Sequence, residues 1–185
     1  MPLPTVFAGP NGSGKSSPIK QVNFEGQQNL LEPDAVARRM NPEFPRKAGI
    51  SAGQVLRRTR EYIRREESFA IETTLAGGWT NSAIMTALER SFFVRLFYVC
   101  VDNPGRSIQR VRQRVAQGGH DVADSDIRRR YGRSIANAGP ILRIVDQGLV
   151  FDNSGPEPRP VFEMRKGKVF HVAEEVPAWA AGLLA

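Results

Sequence analysis

The sequence predicts an α/β domain of three layers with a mostly parallel sheet, on three observations. The apolar run Thr5-Val6-Phe7-Ala8 leads directly into Gly9-Pro10-Asn11-Gly12-Ser13-Gly14-Lys15-Ser16, a glycine-rich turn of the form G-x-x-x-x-G-K-[ST]. Downstream, strand-like apolar runs alternate with amphipathic segments, the pattern of helices packed on the faces of a parallel sheet. Finally, 185 residues with 41% hydrophobic and 24% charged side chains suit one domain with one core, residues 1–185, and exclude a disordered chain.

No apolar run approaches the roughly 18 residues of a membrane span. Met1-Pro2-Leu3-Pro4 enters the first strand without the basic region and apolar core of a secretory signal. Cys100 is the single cysteine, which excludes an internal disulfide and a cysteine-rich zinc site. These features predict a reduced, cytoplasmic setting without membrane attachment.

Within the glycine-rich turn each residue type has a physical task. Gly9, Gly12 and Gly14 let the backbone turn tightly with its N–H groups inward, a nest for phosphates to which Asn11 and Ser13 also contribute. Lys15 places a point charge where β- and γ-phosphates would lie. Ser16 offers a hydroxyl to Mg²⁺, and a helix starting here turns its positive end to the same anion. That helix is expected from Lys15 to about Gln21, shortened or kinked by Pro18 in its first turn.

Asn29-Leu30-Leu31 is a short apolar stretch ending in Glu32-Pro33-Asp34. Asp34 reads in two ways, as the N-cap of a helix over Ala35–Met40 or as a carboxylate at the C-terminal edge of a parallel sheet, where ligands bind. A loop over Asn41–Pro45 follows. Ser51, with Gln54 as its capping partner, opens a helix whose arginines form a solvated face. Ser68–Thr74 reads as a buried strand carrying Glu72 near its end, which is how phosphate-loop proteins supply a second acid near the metal. Leu75-Ala76-Gly77-Gly78 is a loop on that edge, and Thr80 or Asn81 caps a helix to about Arg90.

Phe92–Val101 is too apolar for a surface strand and reads as a central one. Asn103 caps the next helix with Pro104 at its first position. Arg106, Arg110 and Arg114 recur there at every fourth residue, and the helix stops at Gly118-Gly119. A second basic helix starts at Asp124 or Ser125 and carries Arg128, Arg129, Arg130 and Arg133. The net charge of +7 is thus concentrated between Arg106 and Arg143. Two arginine-bearing helices joined by a glycine turn, residues 104–138, look like the lid of a small kinase, closing over phosphates and excluding water. Gly148–Asp152 is the next strand. Val161–Met164 and Lys168–Val172 flank Lys166-Gly167 as a terminal hairpin, before a short helical tail.

These matches, taken in order, resemble the zeta-toxin-like P-loop kinases, in their short stand-alone form. The resemblance rests on Ala8–Ser16, Pro33-Asp34, Phe69–Gly77, Arg110-Val111 with Arg114-Val115, Gly118–Val122, Ile127–Tyr131 and Asp152-Asn153-Ser154. It implies phosphoryl transfer from ATP, or GTP, with Mg²⁺, to a hydroxyl of a small acceptor such as UDP-N-acetylglucosamine, and an antitoxin protein as partner. It further implies Lys15, Asp34, Glu72, Arg114 and Arg130 as catalytic residues, with Asp34 as base. Ser17 and Asn153 would join the turn in holding the nucleotide, with Asp152-Asn153-Ser154 near the adenine. Thr73, Thr74 and His120 would join Asp34 and Glu72 at the acceptor. Ser17-Pro18 departs from the family's plain helix, and the larger segments that shape the UDP-sugar site in the streptococcal-type toxins are missing. A nucleic-acid 5′-hydroxyl is the alternative acceptor, but no aromatic residues alternate with the lid arginines to stack bases. A nucleotide-binding switch or partner-binding protein without acceptor phosphorylation is the other alternative.

Overall fold

A computed structural model describes residues 1–16, 19, 23–32, 48–119 and 121–184, with 48–52 described by backbone alone. The expectations for Ser17, the kink at Pro18, Asp34, the segment 35–45, and His120 lie outside these residues.

One seven-stranded sheet organises the chain. Its strands are β1 (Pro4–Ala8), β2 (Leu30–Leu31), β3 (Phe69–Thr73), β4 (Arg95–Cys100), β5 (Gln147–Asp152), β6 (Arg159–Arg165) and β7 (Lys168–Val172). Their order is β2-β3-β1-β4-β5-β6-β7. The first five are parallel, whereas β6 and β7 run antiparallel as the C-terminal hairpin. The chain goes to one side of β1 for β2 and β3, then to the other for β4 and β5. The C-terminal end of β1 is therefore the topological switch point, where open α/β sheets bind ligands.

The described helices are α1 (Ala48–Arg64), α2 (Trp79–Glu89), α3 (Pro104–Ala116), α4 (Asp124–Ile144) and α5 (Ala178–Leu184). Alternation along the strands builds the layers. Val6, Ala8, Phe69, Ile71, Leu96, Tyr98 and Cys100 point to one face, under Val55 and Ile63 of α1, Ile84 of α2, Ile141 and Leu142 of α4, and Leu183 of α5. Phe7, Ala70 and Phe97 point to the other face and meet Ile19 and Phe24. Phe7 stacks on Phe97 with ring centroids 5.2 Å apart. Both faces of the central strands are thus buried, which accounts for their nearly continuous apolar runs.

Several boundaries differ from the sequence reading. The helix expected to open at Ser51 begins at Ala48. Strand β4 begins only at Arg95, because the N–H of Val94 is taken by the Asp146 carboxylate at 2.9 Å, not by a strand neighbour. Helix α2 starts after Gly78 with no side-chain cap, since the Thr80 hydroxyl turns inward to Thr73. The Asn103 cap is as expected: its side chain accepts from Arg106 N at 3.0 Å, and Pro104 follows. Among the described residues no helix is long and apolar enough to cross a membrane.

Candidate nucleotide site

The turn after β1 is held by an internal backbone hydrogen bond and by bonds to neighbours on two sides. Gly9 N donates to Thr73 O on β3 at 3.2 Å, and Ser13 N donates back to Pro10 O at 3.3 Å. On the side opposite β3, Asn153 Nδ2, just past β5, donates to Ser13 O at 2.8 Å. Gly12 and Gly14 stand at φ +71° and +93°, the left-handed region that residues with a Cβ rarely adopt. Lys15 is only 7% exposed. Its ammonium bends back over the loop and donates to Gly9 O at 2.8 Å and Pro10 O at 2.9 Å. Ser16 is helical in backbone and exposed.

These residues fit a phosphate chain with its metal. Asn11 Oδ1, Ser13 Oγ and Ser107 Oγ are buried with no partner among the described residues. Three orphaned polar atoms in or against one loop are a cost that a polar ligand would relieve. A cationic Lys15 among carbonyls is the complement of phosphate oxygens, and an exposed hydroxyl at Ser16 suits a hard cation that keeps most of its ligands as water and phosphate.

β3 brings the predicted acid to the same edge. Glu72 pairs in register with Phe7, and Thr73 with Ala8, so both stand level with the last residues before the loop. Glu72 is half-buried, as is Thr74. Thr73 is buried, and its hydroxyl is committed to structure: it lies 3.0 Å from Thr80 Oγ1 and accepts from Leu75 N at 3.1 Å. Leu75 is fully buried at φ +57°. Its carbonyl accepts from Asn137 Nδ2 of α4 at 2.8 Å. The loop after β3 is therefore held by both α2 and α4.

α3 and α4 form the expected pair, closed by a small core of Ile108, Val111 and Ile127 with Val115 and Val122 at its margin. Their arginines differ sharply in surroundings. Arg106 pairs with Asp102 at 2.7 Å, Arg112 with Asp124 at 2.7 Å, and Arg129 with Asp126 at 2.6 Å. Arg130 is half-buried and 4.0 Å from Asp126, while Arg114 is exposed on α3. The Arg106 guanidinium, by hydrogen bonding, holds the Asp102 carboxyl below its ordinary value.

Arg110 is the arginine that sequence reading passed over as a site residue. It is half-buried and forms no ion pair with the described residues. Burial, and then the charge of Arg106, lower its proton affinity, while Asp102 and Asp152 act the other way. A partly desolvated cation with no ion-pair partner among the described residues is suited to an anion. The four-residue repeat marked it as one of three, and burial singles it out. Asp152, which the resemblance places near the adenine, is only 5% exposed at the end of β5.

A curated protein from Haemophilus influenzae, described as uncharacterized, is 32% identical over 126 residues, covering 68% of this chain and 89% of that one. The fold is similar to the crystal structure of AvrRxo1-ORF1:-ORF2 with ATP, at TM-score 0.64 and 12% identity over 93% of this chain. This chain spans only 60% of that protein's length. It is similar also to the PezAT chromosomal toxin-antitoxin system of Streptococcus pneumoniae, at TM-score 0.60 and 14% identity, covering 100% of this chain and 77% of that one. The zeta-toxin-like, P-loop kinase-like fold read from the sequence is thereby met at the level of architecture. The AAA domain family is matched over residues 5–132, more than half of the sequence, and the chain belongs to that family.

Proposed function

We propose that this chain is an ATP-dependent phosphotransferase of zeta-toxin type, acting on a hydroxyl of a small acceptor. The observation that carries the reading is Lys15, whose buried ammonium lies on the Gly9 and Pro10 carbonyls just past β1, the strand whose Phe7 pairs in register with Glu72. In this reading the residues from Gly9 to Ser16 orient the nucleotide phosphates through backbone N–H groups and the Lys15 charge. When bound, Mg²⁺ neutralises phosphate charge, with Ser16 among its ligands. Glu72 orients the acceptor. Asp34, three residues beyond β2, is assigned on sequence grounds as the base that takes the acceptor's proton. Arg110, Arg114 and Arg130 are the candidates for stabilising charge on the transferring group, and the segment 104–138 is the lid that excludes water.

UDP-N-acetylglucosamine is the first acceptor to test, ATP the first donor with GTP beside it, an antitoxin the first protein partner, and the cytoplasm the setting. The experiment is ADP release from ATP with Mg²⁺, with and without UDP-N-acetylglucosamine, beside Lys15→Ala and Asp34→Asn. Acceptor-dependent release is expected, lost in Lys15→Ala and reduced in Asp34→Asn while Asp34→Asn still binds ATP. Full activity in Asp34→Asn would remove the base assignment. ATP binding without acceptor stimulation would redirect the search to other hydroxyls or to a protein partner.

A further inference from the structure

The resemblance places Asp152-Asn153-Ser154 near the adenine, yet these side chains are engaged with protein. Asn153 is 8% exposed. Its N–H donates to Cys100 O at 2.8 Å, and its side-chain Nδ2 donates to Ser13 O, 140 residues earlier, also at 2.8 Å. The amide nitrogen occupies the space that a side chain on Gly14 would need, standing 2.1 Å from where its Cβ would lie.

Asp152 anchors this bond from behind. Its Oδ1 accepts from Ser154 Oγ at 2.5 Å and from Trp179 Nε1 of α5 at 3.3 Å. Its Oδ2 meets Arg159 Nη2 at 3.3 Å. Ser154 Oγ in turn accepts from Asp102 N, before α3, at 2.8 Å. Asn153 is thus tied to β4 directly, and its neighbours Asp152 and Ser154 are tied to β6, α5 and the residue before α3.

The chemistry follows from peptide geometry. In a planar trans peptide the C=O of Ser13 and the N–H of Gly14 point in opposite directions. Holding the Ser13 carbonyl toward Asn153 therefore fixes the Gly14 N–H on the far side. We propose that Asn153 is a positioning residue for phosphate binding: it presets the Ser13–Gly14 peptide of the loop and does not read the base. The inference rests on the nucleotide reading above.

Asn153→Asp keeps the shape but sets a carboxylate oxygen against the Ser13 carbonyl, and Asn153→Ala removes the donor. Both are compared with wild type for binding of ATP and of inorganic tripolyphosphate, by calorimetry. Loss of a buried hydrogen bond and acquisition of a repelling pair predict about tenfold or greater weakening. The weakening is expected to be equal for the two ligands. Weakening for ATP alone would overturn the proposal in favour of base contact, and unchanged affinity for both would overturn it outright. Hydrogen exchange of residues 9–16 without nucleotide is the second measurement. Faster exchange there, with β4 and β5 unchanged, is the expected result, whereas unchanged exchange, or acceleration throughout the sheet, overturns the positioning role. Wild type and Lys15→Ala binding ATP equally would defeat the nucleotide reading instead, while the exchange comparison would still decide the role of Asn153.

Discussion

The carbonyl oxygen of Ser107, at the end of the first turn of α3, lies 2.5 Å from where a Cβ on Gly12 would stand. The glycine-rich loop and the first arginine-bearing helix are therefore in backbone contact, and Gly12, at φ +71°, is what allows it. Gly12→Ala would impose both a left-handed strain and a clash with main chain, which cannot rotate away as a side chain does. We expect a loss of about 1–3 kcal/mol in stability from the strain and displacement, together with clearly weaker ATP binding. Urea denaturation and calorimetry measure the two. A variant with unchanged stability and affinity would show that loop and helix separate without cost.

Arg110 and Arg112 make a matched pair for testing the lid, because they are close neighbours on one helix in opposite surroundings. Arg112 is exposed and paired with the exposed Asp124, so Arg112→Ala should change stability by about 1 kcal/mol or less and leave turnover unaltered. Arg110→Ala removes a half-buried cation with no ion pair among the described residues. If Arg110 serves the phosphates, turnover should fall by about 10²-fold, as for loss of a single preorganised donor. Steady-state ADP release from the two variants is the measurement, and equal rates would remove Arg110 from the site.

Alkaline pH should destabilise the fold in a defined window. Burial pushes the Cys100 thiol from an ordinary 9.0 up to about 12, and burial likewise raises the Tyr98 and Tyr131 phenols. Tyr131 also donates to Val101 O at 2.6 Å, a bond that its ionised form cannot make. For groups raised in the folded state, the unfolded chain releases its protons first. Stability is thus fully present below 9 and falls as pH rises toward 12. Urea midpoints across that range should decline steadily, and the native thiol should resist alkylation until the chain unfolds. A flat profile, or a thiol that reacts at its ordinary pH, would contradict the burial account.

Much of the architecture was legible because its signals are local. The glycine-rich turn, the Asn103-Pro104 helix start and the Lys166-Gly167 hairpin are specified within a few residues by backbone preference and side-chain reach. The apolar density of Phe92–Val101 marked a central strand because a strand covered on both faces has no polar side to show. Boundaries were less legible: Asp146, some fifty positions away, takes the Val94 N–H and delays β4, and no local pattern announces that partner.

The site divides along the same line. By itself the sequence marked the turn as a candidate phosphate loop, since the glycines, Lys15 and Ser16 stand together in one contiguous motif. It determined also that Glu72 would reach the sheet edge, since a strand's length and the parallel register carry it there. Tertiary structure alone decided which groups are committed to the fold and which are left for a ligand. Thr73, expected at the acceptor, spends its hydroxyl on Thr80 and Leu75. Arg106, Arg110 and Arg114 recur alike along the helix, and the fold sets Arg106 on Asp102 while half-burying Arg110. Asn153 meets Ser13 only because β5 and β1 flank β4 in one sheet. Local chemistry is written in adjacent residues, whereas charge compensation and desolvation depend on neighbours that the fold brings together.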